Sequence, residues 1–161
     1  MSKRKSSLMA YFINKGTSEA PVWAPLGKGV TSMPVSMNPQ VTRETYIDED
    51  NASASVDGYQ TSWALDITLW DATSAPAHDY LNTMRKNRAT GAEAETDILE
   101  VDISTVSPHT ATRSAAVVGI DTFTLEGGKS QRLGCTVYES GDPIQGTCII
   151  TAGVPVFTPA A

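Results

Sequence analysis

The clearest pattern in the chain is an alternation of apolar and polar residues just after position 60. Trp63, Leu65, Ile67 and Leu69 fall on one face of an extended chain, and the residues between them fall on the other. A period of two is typical of a strand that is buried on one side. A weaker alternation over residues 35–47 predicts a second strand ahead of it.

The segment between these two strands is polar and acidic. It offers no apolar face that a sheet or a helix could bury. We therefore expect a long solvated loop over residues 43–58. Its charged and amide residues include Asp48, Glu49, Asp50, Asn51 and Asp57.

One helix and several further strands are predicted downstream. Pro76 suits the first turn of a helix, and Ala77, Leu81 and Met84 recur at helical spacing. The helix is predicted over residues 76–89. Strands are expected at about 96–104, 115–126, 129–139 and 144–152, with hairpin turns at 127–128 and 140–143.

Strands without β–α–β alternation indicate a mainly β protein. We expect an antiparallel β-sandwich or barrel with one flanking α-helix. The domain is predicted over residues 21–154, between an N-terminal arm (1–20) and a C-terminal tail (155–161). The prolines of the tail argue against a central strand, so the tail either follows a sheet edge or extends away.

The two cysteines are too few for a disulfide framework or a zinc site. If Gly141 and Asp142 form the centre of a hairpin, Cys135 and Cys148 occupy opposed positions on neighbouring strands. We therefore expect two adjacent buried thiols.

Charge is distributed unevenly along the chain. The net charge is −6, yet residues 1–16 contain basic residues and no acidic residue. A basic arm is typical either of nucleic-acid binding or of a solvated terminus. The acidic remainder argues against wrapping a phosphate backbone. An apolar patch in the arm, with Tyr11 and Phe12, is expected to pack on its own domain or on a neighbour.

The sequence contains no catalytic or cofactor motif that satisfies its spacing. Gly128 lacks the partner glycine of a phosphate-binding loop, and the acidic run at 48–50 lacks the further ligands of a calcium loop. We predict that the protein is not an enzyme and uses no cofactor or metal. A hydrolase based on exposed carboxylates is the weakest alternative.

Several stretches resemble the major tail proteins, the tube subunits of long-tailed bacteriophages. They are W-A-P-L-G-K-G-V-T-S-M-P-V-S-M-N-P-Q-V-T-R-E-T-Y-I-D, G-Y-Q-T-S-W-A-L-D-I, N-R-A-T-G-A-E-A-E-T-D, G-D-P-I-Q-G-T and V-P-V-F. The resemblance covers about residues 20–158 as a diffuse pattern. It implies a structural virion protein, assembled in the host bacterial cytoplasm, whose hexameric rings stack into a hollow tail tube.

The resemblance also implies the partners and contact residues. Partners would be further copies of the chain, a tape measure protein, a tail terminator and baseplate or distal tail proteins. DNA would pass through the lumen without specific binding, and no membrane is involved. In that family the early loop and the termini carry contacts between rings. The candidates here are Lys3, Arg4, Lys5, Tyr11, Phe12, Arg43, Asp48, Glu49, Asp50, Asn51 and Asp57.

Two alternatives to a phage tail tube remain. A tube protein of a contractile tail or a phage-tail-like bacteriocin would share the fold. A monomeric β-sandwich that binds or decorates would also fit the pattern. Self-assembly has a physical argument in its favour, because open sheet edges invite strand addition and a heterologous contact between copies builds rings or filaments.

Overall fold

The computed structural model describes residues 2–161, and most of its regular elements are strands. The strands are β1 (Met9–Asn14), β2 (Trp23–Pro25), β3 (Val35–Ser36), β4 (Pro39–Glu44), β5 (Ser53–Tyr59), β6 (Ser62–Thr68), β7 (Glu95–Asp102), β8 (His109–Thr124), β9 (Arg132–Thr151) and β10 (Val154–Pro159). The α-helix α1 spans Pro76–Asn87, and short 3-10 turns lie at Ser6–Leu8 and Gly91–Ala94. The predicted fold class, mainly β and antiparallel with one helix, is confirmed.

Eight of the strands form one antiparallel sheet around β9. Seven of them follow the order β2-β1-β7-β8-β9-β6-β3, and β10 is a further partner of β9. Strand β8 pairs along one side of β9, whereas β6 and β10 share the other side, one at each half. Strands β4 and β5 form a separate two-stranded sheet. Among residues 2–161, no helix has the length and apolarity needed to cross a bilayer.

Strand β9 continues through the position where the sequence predicts a hairpin turn, so the turn at 140–143 is wrong. Gly141 has a φ of +73°, and the pairing with β8 shifts register at this point. Glycine tolerates that φ, and Pro143 lies where the ladder is already interrupted. The residue types that suit a turn therefore also suit a bulge that bends a continuous strand.

The prediction that the two cysteines oppose each other is also wrong. Cys135 pairs with Leu65 of β6, whereas Cys148 pairs with Phe157 of β10. Each thiol is buried in a different apolar cluster. Burial raises the pKa of both thiols, that of Cys135 to about 12. Both are therefore protonated at neutral pH and poorly nucleophilic.

Apolar clusters cover both faces of the sheet. Ile13 and Ile98 belong to the larger cluster, and their chain neighbours Phe12 and Leu99 belong to the smaller one. Because successive strand residues point to opposite faces, the two clusters lie on opposite sides. The larger cluster also contains the apolar face of α1 and the predicted face of β6, namely Ala77, Leu81, Met84, Trp63, Leu65 and Ile67.

The prediction of an N-terminal arm over residues 1–20 is wrong for residues 9–14. They form β1, which pairs with β2 on one side and β7 on the other. Phe12 is only 5% exposed, so its side chain belongs to its own core and is not available to another subunit. Tyr11 packs edge to face on Trp63, with ring centroids 4.9 Å apart.

The C-terminal tail follows a sheet edge as β10. The Ala160 N–H donates to the Gln145 carbonyl at 2.9 Å. Backbone hydrogen bonds alternate in direction along an antiparallel strand, so the backbone N–H and C=O groups at positions 155, 157 and 159 point away from β9. Two of these three positions are Pro155 and Pro159, which have no N–H. This edge therefore offers little for a further strand to pair with.

Candidate assembly surfaces

The long loop predicted over residues 43–58 is wrong, because most of this segment belongs to a β-hairpin. Strand β4 pairs with β5 from Pro39↔Tyr59 to Glu44↔Ser53, which leaves residues 45–52 as the loop. The weak alternation of Ala54 and Val56 with polar neighbours was the available signal for β5. Small side chains made that signal easy to miss.

The hairpin is covered by almost nothing in its own chain. All six residues of β4 are exposed, and Gly58 is the one residue of β5 that is not. The hairpin has no strand beyond its own two, so both of its edges are open. An isolated two-stranded hairpin is marginally stable in water. Its own chain therefore contributes little to the stability of this hairpin.

The two faces of the hairpin differ in chemistry. Val41 lies opposite Val56, and Arg43 lies opposite Ala54, so these four side chains share one face, which is apolar apart from the Arg43 guanidinium. The other face carries hydroxyls and acids. There, the Asp57 carboxylate accepts hydrogen bonds from the Thr42 hydroxyl and, at 3.2 Å, from the Ser55 hydroxyl.

The hairpin tip, residues 46–50, combines an apolar apex with acidic residues. Tyr46 is 55% exposed and Ile47 is fully exposed. The turn is fixed by the Glu49 N–H, which donates to the Tyr46 carbonyl at 3.0 Å. The Ser53 hydroxyl donates to the Glu49 carboxylate at 3.0 Å. An exposed isoleucine held on an ordered turn is well placed to enter an apolar recess on another molecule.

An open groove of about 680 Å³ lies between the N-terminal segment and residues 26–34. Its apolar lining comes from Met9, Tyr11, Leu26, Val30, Met33 and Pro34. The Arg4 guanidinium pairs with the Asp102 carboxylate at 2.8 Å, which fastens the N-terminal segment next to the groove. The Ser104 hydroxyl and, after it, Arg4 lower the pKa of Asp102.

The structure gathers most of the predicted contact residues at two places. Lys3, Arg4 and Lys5 precede the lining residue Ser6, and Tyr11 lies in the groove wall. The remaining candidates except Phe12 lie on the hairpin, namely Arg43, Asp48, Glu49, Asp50, Asn51 and Asp57. That these residues contact other subunits stays a prediction.

Sequence reasoning missed a third exposed apolar surface, on β9 and β10. Ile149 and Val156 are directly opposed, and they are 51% and 61% exposed. Val154 lies on the same face of β10 and is 61% exposed. The runs C-I-I and V-P-V-F are apolar at successive positions, so the period-two pattern does not show which side faces solvent.

Both ring nitrogens of His78 form hydrogen bonds with backbone groups, so this histidine has a structural role. Its Nδ1 accepts the Trp70 N–H at 3.0 Å, and its Nε2 lies 2.6 Å from the Lys28 carbonyl, to which it donates. The ring is therefore neutral, and burial lowers its pKa. Across residues 2–161, no group of three or more His, Cys, Asp and Glu residues could hold a metal ion.

Comparison with known proteins finds similarity in structure alone. No protein-family profile and no curated protein matches the chain. The fold is similar to a chain in a cryo-EM structure of an extracellular contractile injection system, the PVC sheath–tube complex in its extended state. The TM-score is 0.50 at 9% identity, over 89% of this chain and 90% of that one. A chain of the anti-feeding prophage (AFP) baseplate matches with a TM-score of 0.47 at 13% identity, over 90% and 97%.

Proposed function

We propose that the chain is the tube subunit of a tail-like particle, in which copies form rings that stack into a hollow tube. The observation that carries this proposal is the hairpin of β4 and β5, which is exposed on both faces and open at both edges within one chain. The fold shared with a chain of a sheath–tube complex supports the same proposal.

The surfaces of the monomer favour the hairpin over β10 as the place where copies join. The prolines of β10 remove backbone donors from its outer edge, whereas β5 contains no proline and β4 has only Pro39, at its first position. Copies that add hairpin edge to hairpin edge would extend one sheet, and its face with Val41 and Val56 would then pack on the body of a neighbouring copy. The acidic face, with Glu44 and Asp57, would then be directed away from that contact and toward a channel.

The charge of the subunit suits a conduit for DNA. Each copy has a net charge of −6, so a sixfold ring, as the resemblance implies, would carry −36. Acids on the channel wall repel phosphates over a screening length of about 8 Å at physiological salt. DNA would pass through without adhering to the wall.

The shared fold is compatible both with a contractile tail or injection system and with a non-contractile phage tail, and both remain forms of this proposal. The proposed partners are further copies of the chain, a baseplate, a tape measure protein and a tail terminator, with a surrounding sheath in the contractile form. We propose no catalytic role. A monomeric binding module is the competing proposal, and it requires that the protein remain a single species in solution.

The proposal is tested by imaging the purified full chain over a concentration series. Negative-stain microscopy is expected to show rings or tubes, and light scattering after size exclusion should show species of many subunits. The double variant Val41→Asp and Val56→Asp should stay monomeric with an unchanged circular dichroism spectrum. A wild-type protein that remains monomeric and ring-free at every concentration would overturn the proposal.

A further inference from the structure

We infer that the C-terminal end of helix α1 in one copy docks in an acidic cleft of a second copy, where its basic side chains pair with Glu100 and Glu139. The helix end consists of Arg85, Lys86 and Arg88. The acidic cleft lies between the base of the hairpin and the bend of β9. The inference rests on the proposed function and names a contact between copies that uses neither the hairpin tip nor the chain termini.

The acidic cleft is an open recess of about 520 Å³ that combines aromatic walls with acidic groups. Met37 and Tyr59 line its side next to the hairpin, and Tyr138 lines the side of β9. Tyr59 and Tyr138 are 60% and 50% exposed, so a partner can reach both rings. Aromatic faces attract ammonium and guanidinium groups. The acidic residues of the lining are Glu100, Glu139 and Asp142.

Two of these acids are partly buried without a basic partner. Glu100 on β7 and Glu139 on β9 are each only partly exposed, and within residues 2–161 neither forms an ion pair. Burial, and after it the charges of Glu139 and Asp102, raise the pKa of Glu100. A partly desolvated carboxylate next to like charges is unfavourable. A cation from another molecule would relieve that cost.

The end of α1 carries three basic side chains within four positions. Lys86 and Arg88 are exposed, and Arg85 is partly exposed. The Arg85 Nε donates to the Asn82 side-chain oxygen at 2.8 Å, and its guanidinium lies 3.9 Å from the centre of the Phe123 ring. In the described part of the chain, none of the three basic residues forms an ion pair. The helix end is therefore an ordered basic group that can bind acids of another copy.

The other basic residues of the chain match the acidic cleft less well. Those already in ion pairs are Arg4, Arg113, Lys129 and Arg132. Lys28 is held over a tryptophan ring at 4.5 Å. Lys15 and Arg43 have no basic neighbour in sequence, and Lys3 and Lys5 flank a residue that is already in an ion pair. The end of α1 is the place where several unpaired cations meet on one regular element.

The helix end and the acidic cleft of one chain are too far apart to contact each other. Ile120 lies beside Arg85 and Arg88 in a recess at the helix end, Thr112 lines the acidic cleft, and both belong to β8. The stretch of strand between them spans about 25 Å at the usual rise per residue. The contact therefore needs two copies. Because two different surfaces meet, it is heterologous and builds a ring or a filament.

The test reverses the charge of each surface separately. The helix variant carries Lys86→Glu and Arg88→Glu, so that acids face the acidic cleft. The cleft variant carries Glu139→Lys and Asp142→Lys, so that lysines face the basic helix end. Each variant alone should require at least about tenfold more protein to assemble than the wild type, because like charges oppose each other across the contact.

An equimolar mixture of the two variants is the decisive sample. Every contact between unlike copies then joins opposite charges, so the mixture should assemble near the wild-type concentration. A matched control, Glu19→Lys with Glu93→Lys, makes the same change in charge as the cleft variant at exposed positions outside both surfaces and should assemble as the wild type does. Circular dichroism checks that every variant is folded.

The possible outcomes separate the inference from the proposed function. If the wild type assembles and the single variants assemble equally well, the helix end binds something other than a second copy, and the inference is overturned while the tube function stands. A mixture that assembles no better than its components has the same meaning. If the wild type does not assemble at all, the proposed function fails and the inference fails with it.

Disulfide trapping gives a second readout that leaves all charges in place. The variant Asn87→Cys with Gln60→Cys puts one thiol at the helix end and one in the lining of the acidic cleft. Mild oxidation of the assembled protein should give a ladder of linked multimers, whereas either substitution alone should give none. The native Cys135 and Cys148 are buried and should not react. Assembled double-cysteine protein without a ladder would contradict the contact.

Discussion

Strand β6 directly follows the hairpin of β4 and β5 along the chain but lies in the other sheet, and only β6 is covered by its own chain. In β6, Trp63, Leu65 and Ile67 are 1%, 3% and 0% exposed. In the hairpin, Val41 and Val56 are 49% and 54% exposed. The large side chains of β6 belong to the same buried apolar cluster as those of α1. The smaller side chains of the hairpin are not covered by another layer of the chain. The covered half of this region, β6, stabilises the subunit, and the uncovered half, the hairpin, is the part that we propose a neighbouring copy covers.

The largest expected effect on folding is at the covered half. Trp63→Ala should lower the free energy of unfolding by about 3–5 kcal/mol, because it leaves a cavity beside Tyr11 in the larger apolar cluster. The matched control Trp70→Ala removes a half-exposed tryptophan and its contact with Lys28, at a cost of about 1 kcal/mol or less. Urea unfolding of dilute, unassembled subunits measures both. Equal costs would mean that β6 is not the covered half.

The next effect concerns an ion pair that ties the N-terminal residues to the sheet. Asp97 accepts from Arg113 at 2.9 Å and from Asn14 at 3.3 Å, and the paired side chains are mostly buried. Asp97→Ala should cost about 2–3 kcal/mol, somewhat less than a fully buried pair.

The matched control for this ion pair is Asp66→Ala on β6. It breaks the exposed pair with Arg132 and should cost about 1 kcal/mol or less. Chemical denaturation compares the two variants. A larger cost for the exposed pair would contradict the account.

The stability of the folded chain should also depend on pH through His78, and this effect is smaller. Burial, and the charge of Lys28 after it, lower the pKa of this histidine in the folded state, against the hydrogen bond to the Lys28 carbonyl. The unfolded chain therefore binds the proton more readily than the folded chain. The free energy of unfolding has its full value above pH 6.5 and decreases as the pH falls below it. The unfolding temperature should fall by a few degrees from pH 7 to pH 5. His78→Gln should flatten this dependence, whereas His109→Gln should keep it.

The smallest effect on folding is expected in the hairpin. Val41→Ser with Val56→Ser should change the free energy of unfolding by about 0.5 kcal/mol or less, as surface substitutions usually do. The same variant should raise the concentration needed for assembly at least about tenfold, since two apolar contacts are lost. Val22→Ser with Val106→Ser, at exposed positions outside the hairpin, is the matched control. Normal assembly of the hairpin variant would argue against this interface.

The hydrophobic pattern of the sequence was sufficient to predict an element where large apolar residues recur at one period. The alternation in β6 and the Pro76 start of α1 are of this kind, and the helix ends within two residues of the predicted boundary. The pattern failed at β5, whose side chains are small, and at β1, where charged and polar residues surround a short apolar run. At residues 140–143 it failed because glycine and proline serve a bulge as well as a turn.

Only part of the candidate site could be predicted from the sequence, because some of it is contiguous in the chain and the rest is brought together by folding. The acidic residues of the tip are contiguous in sequence, so they stand out without a structure. The groove is built from residues 6–11 and 26–34, which β1 and β2 bring together. No local spacing reveals a recess made by two separate segments.

Hydrogen exchange over residues 39–59 tests most directly the claim that this hairpin is completed by other copies. The amides of β4 and β5 should exchange rapidly in dilute subunits, while those of β6 and β9 are protected, and they should become protected in the assembled form. Hairpin amides that are already as protected as β6 in isolated subunits, or that stay unprotected after assembly, would contradict the account.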